Sequence, residues 1–390
     1  MGTNLTDSDN ITQTAAENKF EDELVFRLAL TQLPGVGHGL AKTLVSYCGS
    51  AGTVFKERQD ALKKIPGIGS IIADNIKQGK TKALALAESE LGFIQKHKIK
   101  ALFYTDKEYP SRLKLCNDGP AMLFVKGNCN FNASKVLAFV GTRNATEYGK
   151  SITEQLIQEL SLHDDLLIVS GLAYGIDIAA HKACLKNDIP TVGVVAHGLD
   201  SLYPAIHKST ADKMMKKGGI ISDFISGTKP DKENFPSRNR IVAGMSDAVI
   251  VVESAIKGGA LITADIANSY NRDVFAIPGN VHNEYSKGCN AYIRDNKANL
   301  IQSVTDIEFF LGWDLKKNKN EKKQVQATLF LELPPDERKL VDYLKQNIRS
   351  DIDSICMYSG LAIGKIPNLL LTLELKGLIK VHPGKVYELI

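Results

Sequence analysis

The chain has 390 residues, too many for one ordinary domain, and its 44% hydrophobic and 24% charged residues are normal for a globular protein. No apolar run approaches the roughly 18–20 residues needed to span a bilayer, so an integral membrane helix is excluded. The net charge of +4 is only mildly basic; it permits a nucleic-acid partner but does not argue for one.

The N-terminus is polar, carries Asp7, Asp9 and Glu17, and lacks a basic-then-apolar leader; residues 1–19 are read as a mobile tail. Residues 20–95 read as helical, with Leu24, Leu28 and Ala29, then Leu40, Leu44 and Val45, at helical spacing. Two glycine turns punctuate this stretch: Leu33-Pro34-Gly35-Val36-Gly37 and Ile65-Pro66-Gly67-Ile68-Gly69. They are the same element twice, the mark of a helix-hairpin-helix (SAM-like) domain.

Residues 96–133 form a connecting extension with strand-like pieces at 101–104 and 121–125. From 134 to 311 strands and helices alternate. Apolar runs at 136–140, 166–169, 191–195, 219–222, 248–252 and 274–277 read as strands, with helices expected over 149–161 and 176–187. Continuous apolar strands separated by amphipathic helices imply a parallel sheet covered on both faces. Residues 312–332 are a polar linker with Lys316, Lys317, Lys319, Lys322 and Lys323, either a solvated tether or a weak nucleic-acid contact. Residues 333–390 read as three helices and a two-stranded wing, closed by Pro383-Gly384-Lys385. The predicted fold class is α/β: a Rossmann-like doubly wound parallel sheet between an N-terminal helical domain and a C-terminal winged helix.

Six cysteines are scattered along the chain without C-x-x-C pairing or a histidine at zinc-ligand spacing. That fits a reducing cytoplasm and no metal. In a helix-hairpin-helix, glycine lets a phosphate approach the N–H groups at a helix N-terminus. Gly35, Gly37, Gly67 and Gly69 are therefore candidate phosphate contacts. They are followed by His38 and Ser70 rather than lysine, and a purely structural turn fits as well.

In doubly wound sheets ligands bind beyond the carboxyl ends of the strands. The segments there are Gly141-Thr142-Arg143, Ser170-Gly171-Leu172-Ala173-Tyr174-Gly175, Ser222-Asp223-Phe224 with a loop reaching Phe235-Pro236-Ser237-Arg238-Asn239-Arg240, and Glu253 to Gly259. Glycines supply phosphate-binding amides, and Arg143, Arg238, Arg240 and Lys257 supply charge. Phe235 and Tyr174 can stack on bases. This is a phosphate-binding rim without a catalytic set. Gly149-Lys150-Ser151 lacks the first glycine of a Walker A loop, and no full dinucleotide fingerprint follows the first strand. Asp177 and His181 read as a helix-start residue and its neighbour. Glu253 is the best remaining catalytic carboxylate and has no partner acid. A nucleotide-cleaving or nucleotide-sensing enzyme, with Gly258-Gly259 as its loop, is the alternative by fold analogy.

Five ordered blocks resemble the bacterial DprA (Smf) family. They are Val140-Gly141-Thr142-Arg143 with Tyr148-Gly149; Ser170 to Asp177 with His181; Phe235 to Gly244; Gly258 to Ala264; and Ile277-Pro278-Gly279-Asn280. The resemblance implies a protein without catalytic activity or cofactor. It would bind single-stranded DNA in a basic pocket, protect incoming strands during natural transformation, promote RecA loading and act as a homodimer through the Rossmann-like domain. By the motif match, Arg143, Ser170, Gly171, Arg238, Asn239, Arg240, Lys257, Gly258 and Gly259 are expected in that pocket.

Overall fold

The computed structural model describes residues 23–313, 333–347, 350–382 and 386–389. The expected tail (1–19), the linker from 314 to 332 and the Pro383-Gly384-Lys385 turn lie outside the described residues. The chain forms two compact units that divide after residue 315.

The first unit opens with helices α1 (23–31), α2 (His38–Cys48), α3 (Ala51–Lys56), α4 (Gln59–Leu62) and α5 (Ser70–His97). The two glycine turns join α1 to α2 and α4 to α5. Gly35 (φ +77°) and Gly67 (φ +81°) occupy the left-handed region, which glycine enters without strain. A Cβ on Gly35 would lie 2.8 Å from Ile72 Cδ1, and one on Gly67 3.2 Å from Leu40 Cδ2. Leu40 and Ile72 are each the third residue of the helix that follows the opposite turn, so the two copies pack reciprocally.

The remainder of this unit contains β1 (Lys100–Phe103), α6 (Ser111–Lys114), β2 (Met122–Gly127), β3 (Lys135–Val140), α7 (Glu147–Leu160), β4 (Leu166–Ser170), α8 (Ile176–Lys186) and β5 (Thr191–Val194). It continues through α9 (Lys208–Met214), β6 (Gly219–Ser222), α10 (Asn234–Met245), β7 (Ala248–Val251), α11 (Gly259–Ser269), β8 (Asp273–Ala276), α12 (Glu284–Arg294), β9 (Asn299–Leu300) and α13 (Val304–Leu311). The nine strands form one sheet in the order β1-β2-β6-β5-β4-β3-β7-β8-β9. Strands β3 to β9 pair in parallel, as in Lys135↔Leu166 and Leu137↔Ala248. Alternation along β3 sends Leu137 and Phe139 into one layer with Leu156, Ile157 and Ala180 of α7 and α8. Val136, Ala138 and Val140 enter the other with Ile241, Val242, Leu261 and Ala264 of α10 and α11. The sheet is thus doubly wound, as the continuous apolar runs predict.

Two expectations change. The extension at 96–133 is not only a connector: β1 and β2 pair antiparallel, and β2 pairs antiparallel with β6, so both belong to the main sheet. The segment read as a loop through Phe235 to Arg240 is the start of α10. Pro236 falls in its first turn, where a missing N–H breaks no helical bond.

In the second unit α14 (Pro335–Gln346), α15 (Ile352–Ser359) and α16 (Ile366–Leu375) pack around Leu340, Leu344, Ile355, Ile366, Leu370 and Leu373. The wing is β11 (Ile379–His382) paired with β12 (Val386–Leu389), and a two-residue strand, β10 (Ser350–Asp351), joins on the far side of β12. Asp351 caps α15 by accepting from the Ser354 amide at 2.9 Å. Among the described residues no helix is long and apolar enough to cross a membrane.

Candidate nucleic-acid interface

Strand β3 is flanked by β4 and β7, and the chain winds outward from it in both directions. The crevice beyond such a switch point is where doubly wound sheets place ligands. Here it is a cavity of about 520 Å³. The loop after β3 is fixed by Glu253. The backbone oxygen of Glu253 accepts from Thr142 N at 2.7 Å, and its carboxylate accepts from Thr146 N at 2.9 Å and from the Thr146 hydroxyl. A Cβ on Gly149 would collide with that carboxylate. Glu253 is 2% exposed and sits against the first turn of α7, where a negative charge is favoured. Both carboxylate oxygens thus hold the loop, an anchoring role.

Arg143 leaves this loop exposed, with its guanidinium carbon 5.1 Å from the Phe235 ring centroid on α10. No carboxylate pairs with it among the described residues. Lys232, also exposed and unpaired, lines the same cavity, as do Asn239, Thr263 and Tyr285. At the opposite wall α11 begins at Gly259 with Gly258 as its N-cap and no side chain capping it. A Cβ on Gly258 would lie 2.1 Å from Ser254 Oγ, so any side chain here would have to push that hydroxyl aside. The positive end of an uncapped helix and two unpaired cations can attract an anionic group here, beside the Phe235 ring over which Arg143 rests.

A buried layer stands directly behind. Arg238 lines the cavity but is 5% exposed, and its guanidinium donates to Val194 O. A Cβ on Gly171 would clash with both Arg238 and Asp177, so this glycine lets the pair approach the end of β4. Burial raises the Asp177 pKa, while Arg238 and the Ala173 amide pull it down. Ser170 Oγ donates to Phe139 O at 2.6 Å. His181 is fully buried. The Thr191 hydroxyl donates to Ile168 O at 3.0 Å, so His181 Nδ1 is the donor in its 2.8 Å contact with Thr191. His181 Nε2 is left without a partner, and burial lowers its pKa to about 3.

Of the nine residues singled out from the motifs, Arg143, Gly171, Arg238, Asn239, Gly258 and Gly259 line the cavity, and three do not. Ser170 is turned into the core. Lys257 is exposed at the tip of the preceding loop. Arg240 lies on another side of α10, 8% exposed, bonded to Asp118 O and paired with Asp223. Its charge is neutralised inside the protein. Lys232 was missed by sequence reasoning, because in the sequence it stands between Asp231 and Glu233 and gives no sign of being unpaired. Gly35, Gly37, Gly67 and Gly69 lie in the helical part. Gly37 and Gly69 face open space. His38, which follows Gly37, accepts from Ala121 N at 3.2 Å. Burial first, then Arg240 and Lys42, lower its pKa to about 4. The first turn is thus tied to the sheet unit by its own neighbour.

A family model described as DNA recombination-mediator protein A matches residues 100–311, and one described as the DprA winged helix domain matches residues 326–385. Protein Smf of Synechocystis sp. is 31% identical, over 94% of this chain and 98% of its own. DNA processing protein DprA of Streptococcus pneumoniae is 41% identical over 52% of this chain and 71% of its own. The X-ray structure of DNA processing protein A from S. pneumoniae matches with a TM-score of 0.60 and 32% identity, over 73% of this chain and 96% of that one. DNA processing protein A from Helicobacter pylori, solved to explain its single-stranded DNA binding mode, matches with a TM-score of 0.50 and 27% identity, over 55% of this chain and 95% of that one. A model spanning more than half the residues, and a relative aligned along nearly all of them, place the chain in the DNA recombination-mediator protein A (DprA/Smf) family.

Proposed function

We propose that this protein binds single-stranded DNA in the switch-point cavity without cutting or joining it. It protects the strand and hands it to the RecA recombinase during natural transformation and recombination, in the cytoplasm and as a homodimer through the Rossmann-like domain. The observation that carries the reading is the pairing state of the cations. Arg143 and Lys232 face the cavity with no carboxylate partner among the described residues, beside the uncapped start of α11. Phosphates answer the charges and the amides, and a base answers the Phe235 ring. The single-stranded DNA binding described for the H. pylori relative supports the same reading.

The test is fluorescence anisotropy with labelled oligo-dT across a salt series. Arg143→Ala/Lys232→Ala is expected to weaken binding about 100-fold and to reduce the salt slope by about 1.4, two phosphate contacts' worth. Arg238 is left intact, because its burial would confuse lost contact with lost folding. Unchanged affinity and slope would remove the strand from this cavity.

A further inference from the structure

The switch-point cavity holds only a short piece of a strand, whereas single-strand sites commonly span about 4 to 16 nucleotides. A second cavity, of about 530 Å³, lies between α7 and α8 and shares Arg143 with the first. Tyr174, 45% exposed and set edge-on to His207 at 5.1 Å, stands at its inner end. Along α8, Gly175, Ala179, Lys182 and Lys186 recur every three or four residues, so they lie on one face lining the groove. Across from them α7 supplies Lys150 and Glu154, the only carboxylate in the lining. Lys182 has no carboxylate partner among the described residues. Lys186 pairs with Glu154, and Lys150 with Glu147 at 2.7 Å; both pairs are exposed. Exposed pairs contribute at most about 1 kcal/mol, so a phosphate can displace them.

We propose that this groove is a second segment of the strand site. Single-stranded nucleic acid that occupies the switch-point cavity continues past Arg143 and Tyr174 and lies along α8, with Lys182 and Lys186 on its phosphates. The eleven residues of α8 extend about 16 Å, room for about five nucleotides at the rise of a stacked strand. Gly175 and Ala179 keep the floor of the groove low between Arg143 and the two lysines. The proposal rests on the single-strand reading of the first cavity.

The experiment compares wild type, Lys182→Glu/Lys186→Glu and Arg143→Ala, using oligo-dT of about 6 and about 20 nucleotides. The glutamate variant is expected to bind the short strand within about twofold of wild type. It should bind the long strand about tenfold more weakly, with a salt slope smaller by about 1.4. Lys182→Ala/Lys186→Ala should move the long strand in the same direction by less. Wild-type affinity for both lengths, equal loss at both, or loss with glutamate but none with alanine would each overturn the groove. Arg143→Ala reports separately on the first cavity: if it leaves both lengths untouched, the parent reading falls instead.

Discussion

Arg143 and Arg238 line the same cavity but meet different surroundings. Arg143 is exposed, rests over Phe235 and has no carboxylate partner among the described residues, while Arg238 is 5% exposed and bonded to Val194 O beside Asp177. Two residues further on, Arg240 is paired with Asp223. The charge count of the Phe235–Arg240 motif therefore overstates what it offers a ligand. Cations in the outer layer remain available to phosphates; those in the inner layer hold α10 against the sheet. The glycines divide in the same way. Gly258 opens the start of α11 toward the cavity, whereas Gly35 and Gly67 let two helical turns interlock.

The sharpest way to break this contrast is Arg240→Ala. It leaves the Asp223 carboxylate buried without its cation and should cost about 3–5 kcal/mol of stability. Urea unfolding measures that loss, and the folded protein should keep wild-type affinity for oligo-dT. Weakened binding by a fully folded variant would move Arg240 into the outer layer. A smaller effect is expected from His181. Its folded pKa of about 3 lies below the ordinary value of 6.5, so the unfolded chain takes up a proton first as pH falls. Its contribution is complete above about pH 6.5 and is lost progressively toward pH 3. Between about pH 7 and pH 5 wild type should lose about 2 kcal/mol that His181→Gln does not. Equal pH slopes in urea unfolding would place the imidazole in contact with water. The smallest change is Gly35→Ala, which meets Ile72 and a positive φ. It should cost about 1–2 kcal/mol in thermal unfolding while leaving oligo-dT affinity untouched. Lost affinity would make the turn a contact rather than an interlock.

Much of the fold was legible because its physics is local. Val136–Val140 is apolar on both faces and became the central strand, and the glycines after it marked the loops of the crevice. Helix α10 was not legible as a helix. It buries Arg238 and Arg240 on two different sides, where a hydropathy pattern assigns both to solvent, and Pro236 looks like a breaker unless the first turn is already known. The roles of these arginines were hidden for the same reason. Asp223 lies 17 residues from Arg240, and no sequence spacing shows that the two will meet. Lys232 was overlooked because an unpaired lysine is recognised by what is missing around it.

The packing of the helical part on β1 and β2 bears on where this chain can be divided. The family match begins at residue 100, yet Ile99, Phe103, Ala121, Met122 and Phe124 share one core with α1 to α5. Glu90 of α5 also accepts from the Ser226 amide at 3.1 Å. A chain shortened to start at residue 100 would bare that apolar face and leave β1 as an uncovered edge. The stretch that the family model matches and the stretch that folds as one compact unit thus begin at different places, and a division of this chain has to follow the second.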